Sequence, residues 1–193
     1  MTGDRRFAHL TSIACHDLRT PLATVYGFAR TLARLELEEP AKRYVEMIEA
    51  ASAQVGELLE ELTLVARIES GRFDPPLAEV DSLALARAAA GELEEERVVL
   101  GGEGATLRVP EAELRRGLSQ LMRAALRHGG LESVEVVVRG VELEVGPVTR
   151  TSAPVLTGVE LRELGAAAAV ALIEALGGSL RIEGDRLLVC LPS

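Results

Sequence analysis

Two long stretches of this chain carry the same four-three apolar spacing, and that periodicity restricts the first third of the sequence to packed helices. Tyr44, Ile48, Ala51, Val55, Leu58, Leu62 and Val65 repeat it without a slip, and Val45, Leu59 and Ala66 widen the stripe by one position. Upstream, Ala14, Leu18, Pro21, Val25, Phe28, Leu32 and Leu35 follow the same rule. Residues three and four apart share one helix face, so each stretch reads as a helix with a heptad seam. The spacing predicts helices over 4–37 and 41–69, interrupted at Glu36 to Pro40. Pro40 falls just before or at the first turn of the second helix, where a missing N–H costs little. A stripe this wide buries more than one neighbouring helix can cover. A second hairpin, giving a four-helix bundle, or the C-terminal half of the same chain would satisfy it. Gly71 fits a left-handed helix end and Pro75-Pro76 prevent continuation, so the domains are expected at 1–73 and 77–193.

The second half alternates short β-rich runs with helical ones. Strands are predicted at 77–80, 98–100, 105–109, 133–138, 141–145, 180–183 and 186–191. Helices are predicted from Asp81 or Ser82 to Arg97, from Pro110 to His128 and over 161–176. Gly101-Gly102-Glu103-Gly104 reads as a turn, as do Arg139-Gly140 and Gly184-Asp185. Strands in one sheet with helices on one face give an α/β sandwich, so the fold class is α + α/β. Aromatic residues are only 3% of the chain against 48% hydrophobic, so the core is aliphatic.

A formal charge of −9 gives no general attraction to nucleic acid or to an anionic membrane. Cys15 and Cys190 are far apart and are expected to be reduced thiols. No cluster of Cys, His or carboxylate residues has metal-ligand spacing, so no metal is expected. The opening Met-Thr-Gly-Asp-Arg-Arg lacks a signal-peptide core. Leu164 to Ile173, the most apolar run, falls short of the ~20 residues that cross a bilayer. The expectation is a cytoplasmic protein with neither membrane nor nucleic acid as partner.

Inside the first helix stands Ser-Ile-Ala-Cys-His-Asp-Leu-Arg-Thr-Pro-Leu, residues 12 to 22. Ser12, His16 and Thr20 stack on one helix face, which Ala23 and Gly27 continue beside the apolar seam. His16 should therefore project toward solvent. Neutral imidazole is a nucleophile near neutral pH and can take and return a group. Asp17 can fix its tautomer by accepting the other ring N–H, although consecutive helical residues do not naturally face each other. Cys15 is expected to pack as a small residue. His9 reads as a surface residue. His128 has no evident partner set and ends a helix, where a cation suits the dipole.

The run His-Asp-Leu-Arg-Thr-Pro-Leu resembles the phosphoacceptor segment of two-component sensor histidine kinases. The resemblance continues through Tyr26-Gly27-Phe28 to Ala-Arg-Ile-Glu-Ser-Gly-Arg-Phe and covers residues 7 to 73. It implies a dimeric four-helix bundle, with His16 as phosphoacceptor and Asp17 as base. Thr20 would orient water when a response regulator is dephosphorylated, and Pro21 would bend the helix below the histidine. Ser12, Arg19, Ala23 and Gly27 would meet a docked partner, the two small residues allowing close approach.

Residues 77 to 193 are similar to the ATP-binding domain of the same kinases, with departures at its ligand positions. Glu113 to His128 matches the helix that carries the family's Mg²⁺-binding asparagine, but Ala124 stands there and Gln120 stands at a second asparagine position. Gly146 lacks the preceding aspartate that receives adenine. Gly165 remains from the phosphate-binding glycines, whereas Glu163 replaces another and adds negative charge. The segment 147–160, matching the family's lid, is short. The resemblance thus implies a degenerate nucleotide site with no expected cofactor. ATP and Mg²⁺ would enter only if a divergent set such as Glu113, Gln120 and Glu144 bound them.

Three functions remain open. The leading one is a histidine phosphotransferase exchanging phosphoryl between His16 and response-regulator receiver aspartates, without loading from ATP. The second is a non-catalytic adaptor that binds a full histidine kinase or sequesters a regulator. The third is a working sensor kinase or regulator phosphatase. Whether the chain is a fragment of a longer sensor protein is also open.

Overall fold

The structure, a computed structural model, describes residues 2–93 and 97–192; the side chains of residues 2–7, 9, 10 and 12 lie outside the described set. It divides into two compact units, Met1–Phe73 and Asp74–Ser193.

The first unit is a hairpin of α1 (Thr2–Leu32) and α2 (Ala41–Glu69). α1 ends before the predicted Leu37. Its last turns tighten into bonds such as Leu35 N–H to Leu32 O. Glu36, Glu38 and Glu39 follow, and acidic residues oppose the helix dipole at a C-terminus. α2 closes on Gly71 at φ +69, with Arg72 N–H returning to Arg67 O. The Arg67 guanidinium then lies 5.9 Å from the centre of the Phe73 ring.

The hairpin closes on a face beside the main four-three seam, which in α2 takes up the widening positions Val45, Leu59 and Ala66. Ala8, Cys15 and Ala29 of α1 and Val45, Ser52, Leu59 and Ala66 of α2 are buried at spacings of seven or a multiple of seven, and Glu61 of α2 is buried outside that spacing. Leu22, half-buried, fills the remaining place in α1 and approaches Gly56. These side chains are mostly small, so two helix backbones can approach closely. The bulkier seam points outward instead, and Leu18, Val25, Phe28, Tyr44, Ile48, Val55 and Leu58 are all exposed.

The second unit holds two sheets, not the single sheet expected. β1 (Ala78–Asp81) pairs antiparallel with β3 (Thr106–Val109). The larger sheet orders β2 (Val98–Gly104), β4 (Val134–Gly140), β5 (Glu142–Gly146), β7 (Arg186–Cys190) and β6 (Ser179–Glu183). Only the β2–β4 pair is parallel. The glycine run is therefore strand, not turn. Gly102, at φ +112, passes so close to β4 that a Cβ would lie 2.0 Å from the Val138 carbonyl oxygen. The β4–β5 turn falls on Gly140-Val141, one residue later than predicted, because Arg139 pairs with Glu142. The Gly184-Asp185 turn joins β6 to β7 as expected.

α3 (Ser82–Ala90), α4 (Glu111–Gly129), the short α5 (Ala153–Leu156) and α6 (Leu164–Ala175) complete the unit. α3 stops at Gly91, well short of Arg97, where the acidic run that follows would meet the negative helix end. Asp81 caps α3 through Ala84 N–H at 2.8 Å. The neighbouring Ser82 hydroxyl donates to Gly140 O at 2.6 Å and accepts from Ala105 N–H at 2.9 Å. One buried hydroxyl thus ties the start of α3 to a turn of the large sheet. Alternation puts Val134, Val136, Val138, Leu143, Val145, Leu187 and Val189 in the core with Leu114, Leu118, Leu121 and Met122 of α4 and Leu172 and Ile173 of α6. Elsewhere on the sheet, Arg139 pairs with Glu144, Arg186 with Glu135, and Arg181 with Glu142 and Glu183. Hydrogen bonds donated to Glu183 and Glu135 hold the Arg181 and Arg186 guanidinium pKa values above their ordinary level.

Candidate functional site

His16 sits midway along α1 with its side chain 80% exposed. Solvent reaches it because its helix face is turned away from the hairpin interior, where its neighbour Cys15 is buried. Asp17 Oδ1 lies 3.3 Å from His16 Nδ1. A carboxylate only accepts, so this contact places the proton on Nδ1 and leaves the Nε2 lone pair facing solvent. One residue of helical offset would separate the two groups if both pointed radially, and the side chains lean together to meet.

His16, Arg19, Thr20, Ala23 and Thr24 line one shallow depression on α1. These are residues at one helix repeat and its flanks, so the grouping follows from the 3.6-residue turn. Gly27 continues the face and is exposed, with open space where a Cβ would stand. The Ser12 side chain and that of His9 fall outside the described set. Thr24 was not singled out in the sequence, although its four-residue offset from Thr20 was the available signal. Its hydroxyl donates to Thr20 O at 3.2 Å. Pro21 lies inside α1, and its nitrogen carries no hydrogen for the Asp17 carbonyl.

The second unit places the remaining predicted positions in different surroundings. Ala124 is fully buried on the core face of α4 and offers no oxygen to a hard cation. Gly146 is buried under Arg186, whose Cδ would stand 2.5 Å from an added Cβ. Gly165 is buried in the first turn of α6. Glu144 of β5 is bound to Arg139 of β4, whereas Glu113 and Gln120 lie on α4. Among the described residues, no three of His, Cys, Asp and Glu gather where they could hold a metal ion.

His128 does have a partner. Its Nε2 lies 2.7 Å from Glu163 Oε2, and Arg127 Nη1 lies 3.2 Å from Glu163 Oε1. The Glu163 carboxylate is therefore paired with the Arg127 guanidinium and hydrogen-bonded by the neighbouring His128 ring at the end of α4. Only proximity in the folded chain pairs residues so distant in sequence.

Residues 8–71 match the model of the His Kinase A (phospho-acceptor) domain. Among solved structures, full-length ShkA in complex with AMPPNP aligns with a TM-score of 0.68 at 22% identity, over 94% of this chain and 44% of that one. The chain thus spans less than half of that protein's length. The Acinetobacter baumannii histidine kinase AdeS aligns with a TM-score of 0.57 at 17% identity, over 92% of this chain and 98% of that one. At these identities the structural likeness is one of fold, two long helices followed by an α/β domain of the histidine-kinase ATP-binding type. No curated protein sequence matches this one. Among the described residues, no helix is long and apolar enough to cross a membrane.

Proposed function

We propose that this protein, which belongs to the histidine kinase family of two-component signalling through its His Kinase A domain, exchanges phosphoryl groups between His16 and receiver-domain aspartates and is not loaded from ATP. The observation that carries the reading is the exposed His16–Asp17 pair in a chain whose Ala124 and Glu163 do not fit an Mg²⁺-nucleotide. A buried alanine ligates nothing, and the Glu163 carboxylate already occupies the Arg127 and His128 donors that phosphate oxygens would need.

The chemistry needs only the groups of α1. The Nε2 lone pair attacks the phosphorus of an aspartyl phosphate as the bond from phosphorus to the receiver carboxylate breaks. The ring becomes cationic, and Asp17 stabilises or takes the Nδ1 proton. Attack by a receiver carboxylate on the phosphohistidine runs the same steps backward and returns the proton. A positively charged Arg19 and the small Ala23 and Gly27 make the surrounding face suited to an acidic receiver pocket. Thr20 would hold a water in line when the receiver phosphate is hydrolysed. The outward seam of Leu18, Val25, Phe28, Tyr44, Ile48 and Val55 would pair with a second copy to complete a four-helix bundle.

Incubation with phosphorylated receiver domains tests this reading. Acid-labile label on His16 that vanishes in His16→Gln is the expected result. Failure of every cognate receiver to label the chain sinks it, and a saturable calorimetric response to Mg-ATP sinks the claim about loading. The same exposed seam favours one second reading, an adaptor that pairs with a complete kinase. Undiminished signalling by His16→Ala would select that reading.

A further inference from the structure

We propose that Thr24 acts with Thr20 in the hydrolysis of a docked receiver's aspartyl phosphate, by accepting a hydrogen bond from the attacking water. The inference deepens the proposed function and rests on its reading of Thr20 as the residue that holds this water.

Thr24 stands one helical turn beyond Thr20, and both are exposed in the depression that also holds His16, Arg19 and Ala23. Its hydroxyl has one proton and two lone pairs, and the proton is directed at the Thr20 carbonyl, 3.2 Å away. The same inward bond runs from Thr31 to the Gly27 carbonyl at 2.8 Å and from Thr63 to the Leu59 carbonyl at 2.6 Å. With its proton turned to the backbone, Thr24 Oγ1 offers acceptor lone pairs to the depression. Ala23 carries only a methyl group there, and Gly27 beyond it leaves open space where a Cβ would stand.

Residues one turn apart are displaced by ~5.4 Å along the axis, and a water hydrogen-bonds over about 2.8 Å on each side, so one water can span two hydroxyls at this spacing. A water that donates one O–H to Thr24 and the other to Thr20 keeps both of its lone pairs, and one of them faces outward, toward the phosphorus of a docked receiver. The water oxygen then bonds to phosphorus as the bond from phosphorus to the receiver carboxylate breaks. The aspartate is freed as a carboxylate, and both water protons leave with the released inorganic phosphate. Thr24 orients the water and takes no proton from it, because a neutral hydroxyl is too weak a base.

The test incubates the full chain with a receiver domain phosphorylated by radiolabelled acetyl phosphate, and follows released inorganic phosphate and label on His16 separately. Thr24→Val keeps the shape without the hydroxyl and should cut the phosphate release that the chain adds roughly tenfold, the effect of one hydrogen bond, with transfer to His16 within about twofold of the parent. Thr24→Ser returns the hydroxyl and should return the release. Undiminished release by Thr24→Val overturns the proposal. So does a loss of transfer in step with release, or a failure of Thr24→Ser to rescue, since either marks a structural defect in α1. Thr20→Val separates this inference from the reading beneath it. If Thr20→Val loses release and Thr24→Val does not, the role of Thr24 alone fails. If Thr20→Val matches the parent, or the parent adds nothing to the receiver's own hydrolysis, the reading of Thr20 fails and this inference falls with it.

Discussion

Replacing Phe28 with alanine tests whether the outward seam of the helical hairpin is an interface. Phe28 is 67% exposed in the single chain, the largest value among the exposed bulky residues of the first unit. An aromatic side chain buries ~150–250 Å² when enclosed, so roughly 100–170 Å² of Phe28 awaits a partner. At about 25 cal/mol per Å², less the share that alanine retains and some incomplete burial, this gives roughly 2 kcal/mol per protomer. A symmetric dimer loses it twice, about 4 kcal/mol, which is on the order of a thousandfold in the dimer dissociation constant. Sedimentation equilibrium across a concentration series reads that shift directly. Leu161→Ala, 80% exposed but in the second unit, should leave the constant unchanged. An unchanged constant for Phe28→Ala, or an equal loss for Leu161→Ala, refutes the assignment of this seam as the dimer face.

Other consequences are open to measurement. Asp17→Asn keeps the contact but removes the proton acceptor, and should slow phosphoryl exchange with a receiver by roughly a hundredfold in single-turnover assays, the low end of acid–base contributions. Ser82→Ala strands the part-buried Ala105 N–H and Gly140 carbonyl, and denaturant unfolding of the second unit should lose about 1–3 kcal/mol. Gly102→Ala puts a methyl into the Val138 carbonyl at a φ that side chains rarely adopt, and should lower stability by more than ~3 kcal/mol or prevent folding of that unit, as read by circular dichroism.

The helices were legible in the sequence because a 3.6-residue period leaves a local record, and each tooth of the four-three pattern lies within one turn of the next. Which stripe closes the hairpin was not legible. Both stripes are apolar, and the choice turns on size, with Ala8, Cys15 and Ser52 letting the backbones approach where Leu18 or Phe28 would hold them apart. Gly101 to Gly104 looked like a turn because glycine marks both turns and tight backbone contacts, and only the position of Val138 separates the two. The His16–Asp17 neighbourhood could be read from adjacency alone. The clasp of Arg127 and His128 on Glu163 could not, since nothing local in either segment points to the other.

Pro21 has a mechanical consequence for the residues above it. It removes one rung from the hydrogen-bond ladder of α1, and the carbonyl left over belongs to Asp17. The helix is therefore a beam with its most compliant section directly beneath His16. Torque applied to the upper turns would be taken up there first, before it reached Val25 and Phe28. The histidine could then swing between partners of different shape while the lower half of the hairpin kept its grip, so that stiffness and reach are divided between two ends of one helix.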